Sequence, residues 1–297
     1  MRALVPVLTV VAAILALWYL AAVWLNADWA RDQAQRAGAE LPFTELVSQT
    51  LSQERPKLPA PHQVAQEFHK LTWEEEVEGR RGLVKSGSFS NRGLIHHALA
   101  TLTATAFGFV IGSGFGVLLA VGIVHNRAMD LSVMPWAIAS QSVPIVAIAP
   151  MIIVVLNSVG VAGLIPKAII AAYLSFFPVV VGMVKGLRSP DAMQTDLLRT
   201  WNASGFEVLM RLRLPSSVPY LFASLKVGIA AALVGTIVAE LPVGGAGLGT
   251  RLLAGSYYGQ TIQIWATLLM AALLALLMVG AVGLVQRLTL KRMGFRA

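Results

Sequence analysis

Long apolar runs separated by short polar stretches dominate the chain. Ala3–Leu25 carries no charged residue over 23 positions, and at 1.5 Å per helical residue that is enough to cross a hydrocarbon layer of about 30 Å. The apolar core of a secretory signal is only about 7–15 residues long, so this run reads as a first span rather than a leader. Further runs lie near His97–Val124, Pro135–Leu156, Ile165–Met183, Tyr220–Leu241 and Ile262–Leu284. The pattern predicts an all-α membrane protein with six transmembrane helices. Pro144 and Pro150 are expected to break the third run, where Gln141, Ser142 and Asn157 add polar groups. Lipid tolerates irregular backbone only where protein buries it or it lines a cavity. Gln141 and Ser142 are therefore candidate walls of a translocation path, although a kinked helix turning them toward its neighbours fits the same residues.

Between the first and second runs the pattern reverses. Asn26–His96 holds nine Lys/Arg and ten Asp/Glu, with Pro56, Pro59 and Pro61 as breaks. The organisation expected is a first transmembrane helix over 1–25, an aqueous loop with interfacial helices over 26–96, and a core of five transmembrane helices over 97–297. Within the insert, ADWARDQAQRAG at Ala27–Gly38 suits an amphipathic surface helix, and ELPFTELVSQTLSQ at Glu40–Gln53 has apolar spacing suited to packing.

Composition supports lipid as the solvent: 56% of residues are hydrophobic and 13% charged, against about 25% charged in a soluble domain. Cysteine is absent, which removes disulfides, thiolate metal sites and cysteine nucleophiles. The net charge of +8 acquires meaning from its placement. Arg2, Arg127, Lys185, Arg188, Arg199, Arg211, Arg213, Arg287, Lys291, Arg292 and Arg296 fall on one side of six spans, and only Lys167 and Arg251 on the other. Basic residues in short loops mark the cytoplasmic side, and a long loop is exempt from the rule. Both termini of this multi-pass protein are thus expected in the cytoplasm and the 26–96 loop outside, in the periplasm if the cell is Gram-negative. The basic tail Gln286–Ala297 has four bases but no recognised nucleic-acid-binding motif, so it reads as an anchor at the lipid surface rather than a nucleic-acid site.

Within the spans, Gly108, Gly112 and Gly116 recur every four residues, a stripe that admits a closely packed helix. Thr101 and Thr105 share a face one to two turns earlier, where they either line a path or bond back to helix carbonyls. Lys226 and Glu240 are the ionisable residues within a span once Lys167 is set aside at a span end. Such residues are functional candidates by default. Fourteen positions place them about 21 Å apart on one helix, too far to pair, which leaves a partner protomer as a meeting point for either. The five histidines show no metal-ligand spacing, and neither a metal site nor a catalytic residue is expected.

The hydrophilic segment 186–219 is organised as a device. Ser189 is expected to cap a first helix with Pro190 at its first position and Asp191 beside it, and that helix should stop near Trp201. Asn202 falls where a left-handed residue is wanted. Ser204 with Glu207 three residues later forms a capping box for a second helix, which Pro215 should end after Leu214. These features suit an ordinary inter-span hairpin as well as a docking element.

The segment resembles the signature cytoplasmic loop of ATP-binding-cassette importer permeases: Glu-Ala-Ala, three residues, Gly, nine residues, Ile, one residue, Leu-Pro. Anchored on Leu214–Pro215, the Glu position falls on Asp196, the Ala positions on Leu197 and Leu198, the Gly on Asn202 and the Ile on Leu212. LPAPHQVAQEF at Leu58–Phe68, QSVPIVAIAPM at Gln141–Met151, Leu214–Leu241 and GGAGLG at Gly244–Gly249 resemble further segments of the nitrate, sulfonate and taurine branch. Asn26–Lys57 is longer than the connection that this likeness implies.

The resemblance implies the type I importer permease fold. It also implies that the elbow, comprising Asp196, Leu197, Leu198, Trp201, Asn202, Ala203, Ser204, Gly205, Glu207, Leu214 and Pro215, docks into a separate ATPase subunit. The partners implied are two ATPases that bind ATP and Mg, a second permease copy or homologue, and a periplasmic substrate-binding protein. The chain has no Gly-Lys pair, hence no Walker-type phosphate loop, no cofactor and no enzymatic activity of its own. The substrate implied is a small polar or anionic solute, nitrate-, sulfonate- or taurine-like or a heterocyclic vitamin precursor, moved by alternating access. Thr101, Thr105 and Glu240 join Gln141 and Ser142 as candidate path residues. The alternative is a secondary transporter driven by an ion gradient, for which Glu240 would be the available intramembrane acid.

Overall fold

A computed structural model describes residues 4–38, 42–73, 76–79, 82–85, 90 and 93–294. Arg2, Arg296 and the Glu40–Leu41 start of the second insert helix lie outside them. The chain divides into two compact units, residues 1–98 with 251–272, and 99–250 with 273–297.

In the first unit, α1 (Leu4–Ala37) does not stop at Leu25 but runs on for three more turns. No glycine or proline intervenes before Gly38, whose φ of 65° ends the helix. The surface helix expected at Ala27–Gly38 is thus the continuation of the first span. Helix α2 (Phe43–Leu51) follows and presses Leu46 onto Ala27 and Ala30 of α1. Asn26, fully buried, organises the connection to α3 (Pro61–Trp73). Its carboxamide donates to the Thr50 and Leu58 carbonyls and accepts from the Lys57 and Leu58 N–H groups. One side chain therefore satisfies backbone that no regular element covers. Trp18 of α1 lies 5.1 Å from Trp265 and donates to the Pro59 carbonyl at 3.0 Å. A two-stranded antiparallel hairpin, β1 (Glu76–Gly79) and β2 (Gly82–Lys85), departs from the all-helical expectation for this insert.

The second unit is built on α4 (Leu94–His125), from Leu99 onward, and on α7 (Leu164–Leu187) and α10 (Leu214–Val243). The Gly108, Gly112 and Gly116 stripe is where α4 meets α7. A Cβ on Gly108 would strike Ala168 and Ala171, one on Gly112 would strike Ser175 and Ala172, and one on Gly116 would sit 2.8 Å from the Phe176 carbonyl. Numbers rise together, so the two helices are parallel. Against α10 the order inverts: Gly182 meets Ser224 and Gly235 meets Ile170. That pair is antiparallel.

Parallel packing fixes what lies between α4 and α7. The chain leaves α4 at His125, level with the end of α7, and must return roughly 30 Å to begin α7 at Leu164. It does so through α5 (Arg127–Ser140) and α6 (Ile145–Ser158), bent by 97° to one another. At 14 residues, each is about 21 Å long, too short to cross alone. The third span is therefore one crossing in two pieces and, with five long apolar helices among the described residues, completes six. The break falls at Gln141–Pro144; Pro150 and Pro135 sit inside their helices. Pro144 has no N–H to return to the Ser140 carbonyl, and the Tyr173 hydroxyl donates to that carbonyl instead.

Candidate functional site

The elbow follows α7. Its first helix, α8 (Ala192–Thr200), is capped by Asp191, not by Ser189: Asp191 accepts from Ala192 N–H at 2.8 Å, and Gln194 returns a bond to Asp191 N–H. The Ser189 hydroxyl is already used, donating to the Gly186 carbonyl in the last turn of α7 at 2.7 Å. Pro190 accordingly precedes the helix rather than opening it. At the other end Asn202 has φ 56°, the one positive value outside glycine among the described residues. Asn202 N–H donates to the Arg199 carbonyl at 2.9 Å and Ala203 N–H to Leu198 at 3.1 Å, the paired closure of a Schellman motif. Ser204 then starts α9 (Gly205–Val208), with Glu207 accepting from Ser204 N–H at 2.9 Å.

Pro215 does not end this second helix. A single π turn, Leu209–Arg213, leads directly into α10. The wider turn accommodates a proline that can neither donate to the preceding turn nor leave room for its carbonyl. The element expected to be a separate second helix is thus the root of the fifth span. Leu209 is buried beside Ala120 and Ile123 of α4 and Met183 and Leu187 of α7. Arg188 pairs with Asp130 of α5 at 2.8 Å.

The outer surface of the elbow is apolar and uncovered. Met193 and Leu197 of α8 and Trp201 at its C-cap, spaced four residues apart, are 79%, 55% and 74% exposed, and Phe206 is 67% exposed. Around them the polar groups are neutralised locally, Asp196 by Arg199 at 3.2 Å and Glu207 by Arg211 at 3.7 Å. Leu198, Ala203, Leu214 and Pro215 are half-buried beneath this face, whereas Ser204 and Gly205 are exposed. Met193 and Phe206 had escaped sequence reasoning, although the spacing of Met193, Leu197 and Trp201 in an otherwise polar helix was the available signal.

Three of the proposed path residues meet at the opposite end of the same helices. Glu240, with no solvent exposure, accepts from the Thr101 hydroxyl at 2.9 and 3.0 Å and from Gly249 N–H at 2.9 Å. Lys167 Nζ lies 3.9 Å from the carboxylate and donates to the Ala246 carbonyl at 2.8 Å. The Thr101 oxygen also accepts from Leu248 N–H at 2.9 Å. Deeper in, the Thr105 hydroxyl lies 2.9 Å from that of Thr236 and 2.7 Å from the Thr101 carbonyl. The site thus ties α4, α7 and α10 to the glycine loop that leads into α11 (Leu248–Tyr257). Gly247 and Gly249 are required there, because a Cβ on either would run into Glu240.

Glu240 therefore finds its partner within its own chain, in the lysine that had been set aside at a span end. Lys226 is half-buried, and its ammonium end lies against the space above Gly283 on α12 (Thr261–Arg292). Gln141 and Ser142 are elsewhere, exposed at the break between α5 and α6.

Known proteins resemble this chain in sequence and in fold. The family described as binding-protein-dependent transport system inner membrane component matches residues 112–294. Over 198 residues the chain is 30% identical to the riboflavin transport system permease protein of Chloroflexus aurantiacus, covering 67% of this chain and 72% of that one. It is 23% identical over 204 residues to the nitrate import permease protein of Leptolyngbya laminosa, covering 67% and 70% respectively. An inward-facing methionine ABC transporter structure, 22% identical, matches with a TM-score of 0.53 over 65% of this chain and 94% of its own.

Proposed function

The chain belongs to the family of binding-protein-dependent transport system inner membrane components, and from that premise we propose how it works as the permease subunit of an ATP-binding-cassette importer. Two permease subunits form the passage, and separate ATPase subunits bind and hydrolyse ATP with Mg. Each ATPase grips one elbow, so that closure of the motor pair around nucleotide swings the permease between inward-open and outward-open states. A soluble binding protein delivers solute to the other side. The termini and the elbow face the cytoplasm, as the distribution of basic residues indicates. The solute is a small polar heterocycle or an anion, a class suggested by relatives named for riboflavin and nitrate.

The observation that carries this reading is the uncovered stripe of Met193, Leu197, Trp201 and Phe206 on a rigidly capped elbow. Leaving large apolar side chains in water forgoes about 1.5–3 kcal/mol each, and a hydrophobic groove in a partner recovers it. Reconstitution with the cognate ATPase and binding protein tests this. Leu197→Asp, Asn202→Pro and Asp196→Arg should each lower solute-stimulated ATP hydrolysis at least tenfold while membrane insertion persists. Undiminished stimulation in all three would overturn the docking role.

A further inference from the structure

The feature of the first unit that transport leaves unassigned is a groove of about 790 Å³ between the second half of α1 and α2. Leu20, Val23 and Trp24 of α1 line one wall and Val47 and Leu51 of α2 the other; Asp28, Arg31 and Lys57 lie further along, with Phe43 at the Arg31 end, because Thr50 meets Asn26 and Leu46 meets Ala27 and Ala30. Its position relative to the bilayer follows from α1. Leu4–Val23 is 20 residues, about 30 Å of helix, so this length spans the hydrocarbon. Trp24–Arg31 then emerges at the headgroup boundary, where Tyr and Trp concentrate, and Trp24 and Trp29 stand there. Trp24 and Phe43 are each 76% exposed.

The polar end has a surplus of positive charge. Lys57 is 3.5 Å from Asp28, with both side chains exposed, and Arg31 forms no ion pair among the described residues. Two cations against one carboxylate leave one net positive charge at the depth of the lipid phosphates. A guanidinium matches a phosphate with two parallel hydrogen bonds. Apolar walls run from that charge toward the hydrocarbon, which is the layout of a lipid molecule and not that of a soluble peptide.

We propose that this groove holds an anionic phospholipid of the surrounding bilayer. Its phosphate rests against Arg31 and Lys57, and one acyl chain runs along Val47 and Leu51 on one side and Val23 and Leu20 on the other. The lipid fills the space between α1 and α2 and fastens the insert to the membrane surface.

The test uses the assembled transporter in nanodiscs with brominated phosphatidylglycerol or brominated phosphatidylcholine at equal mole fraction. Subtracting the fluorescence of Trp24→Phe from that of the parent isolates Trp24 among seven tryptophans. Brominated phosphatidylglycerol should quench this component at least threefold more than brominated phosphatidylcholine, and Arg31→Gln with Lys57→Gln should abolish the difference while Arg31→Lys preserves most of it. Equal quenching by the two lipids would mean contact with bulk bilayer only. Quenching by neither would mean that a second copy or another protein covers the groove. Either result overturns the proposal.

Discussion

Replacing Thr101 by Val tests whether the buried site holds the glycine loop closed. The change conserves shape but deletes a hydroxyl that donates to both Glu240 oxygens and accepts from Leu248 N–H. Losing a hydrogen bond to a charged group costs about 1.5–3 kcal/mol, and orphaning a buried N–H about 1–3 kcal/mol. The loop lies at the end of the helix, where water recovers part of the loss, so a net of about 3 kcal/mol is expected, or roughly 150-fold in the opening equilibrium. The absence of cysteine supplies the assay. Ala246 lends only its carbonyl to Lys167, so Ala246→Cys introduces a single thiol that reports loop opening through its labelling rate in nanodiscs. Thr101→Val should accelerate labelling about 100-fold, and Thr101→Ser, which keeps the hydroxyl, by no more than about threefold. A Thr101→Val acceleration below about fivefold in folded protein would refute the idea that this hydroxyl secures the loop.

Asn202→Gly should leave ATPase coupling intact, whereas Asn202→Val, with a branched Cβ forced to φ 56°, should strain the elbow by about 1–2 kcal/mol and lower coupled ATP hydrolysis several-fold. Tyr173→Phe removes the stronger of two donors to the Ser140 carbonyl, leaving the Val143 N–H at 3.4 Å; a loss of about 0.5–1.5 kcal/mol should appear as a lower midpoint in thermal unfolding followed by fluorescence. Gly112→Leu places a side chain where Ser175 and Ala172 already sit. It should prevent α4 and α7 from packing, and expression as a monodisperse species by size-exclusion chromatography should be lost, while Gly114→Leu, at a position with open space around it, should be tolerated.

Local chemistry made much of this molecule legible. The Ser204–Glu207 capping box and the left-handed Asn202 both rest on interactions within four residues, and both are present as expected. The neighbouring cap was misassigned because Ser189 and Asp191 compete, and only the fold shows that the Ser189 hydroxyl is spent on α7. Pro215 misled for a different reason: its stereochemistry forbids a regular α turn but permits a π turn, and sequence does not reveal which relief the backbone takes. The six crossings followed from hydropathy, yet the 97° bend at the third did not, because its angle depends on what α6 packs against, Ile170 and Ala239 among others. The Lys167–Glu240 pairing spans 73 positions, and no periodicity links residues so far apart. Thr101, Thr105 and Glu240 were chosen separately as polar groups in lipid, and the structure shows that they are neighbours.

One continuous helix, Gly205–Val243, joins the apolar elbow to the buried Glu240 site of the second unit. Its 39 residues measure about 58 Å, with the π turn just ahead of Pro215 and with Pro219 and Pro242 inside the helix. The elbow and the glycine loop are consequently the two ends of a single strut. If the elbow is gripped as proposed, a displacement imposed at Phe206 reaches Glu240 through this one helix, and the two faces of the membrane share a single mechanical connection within this unit.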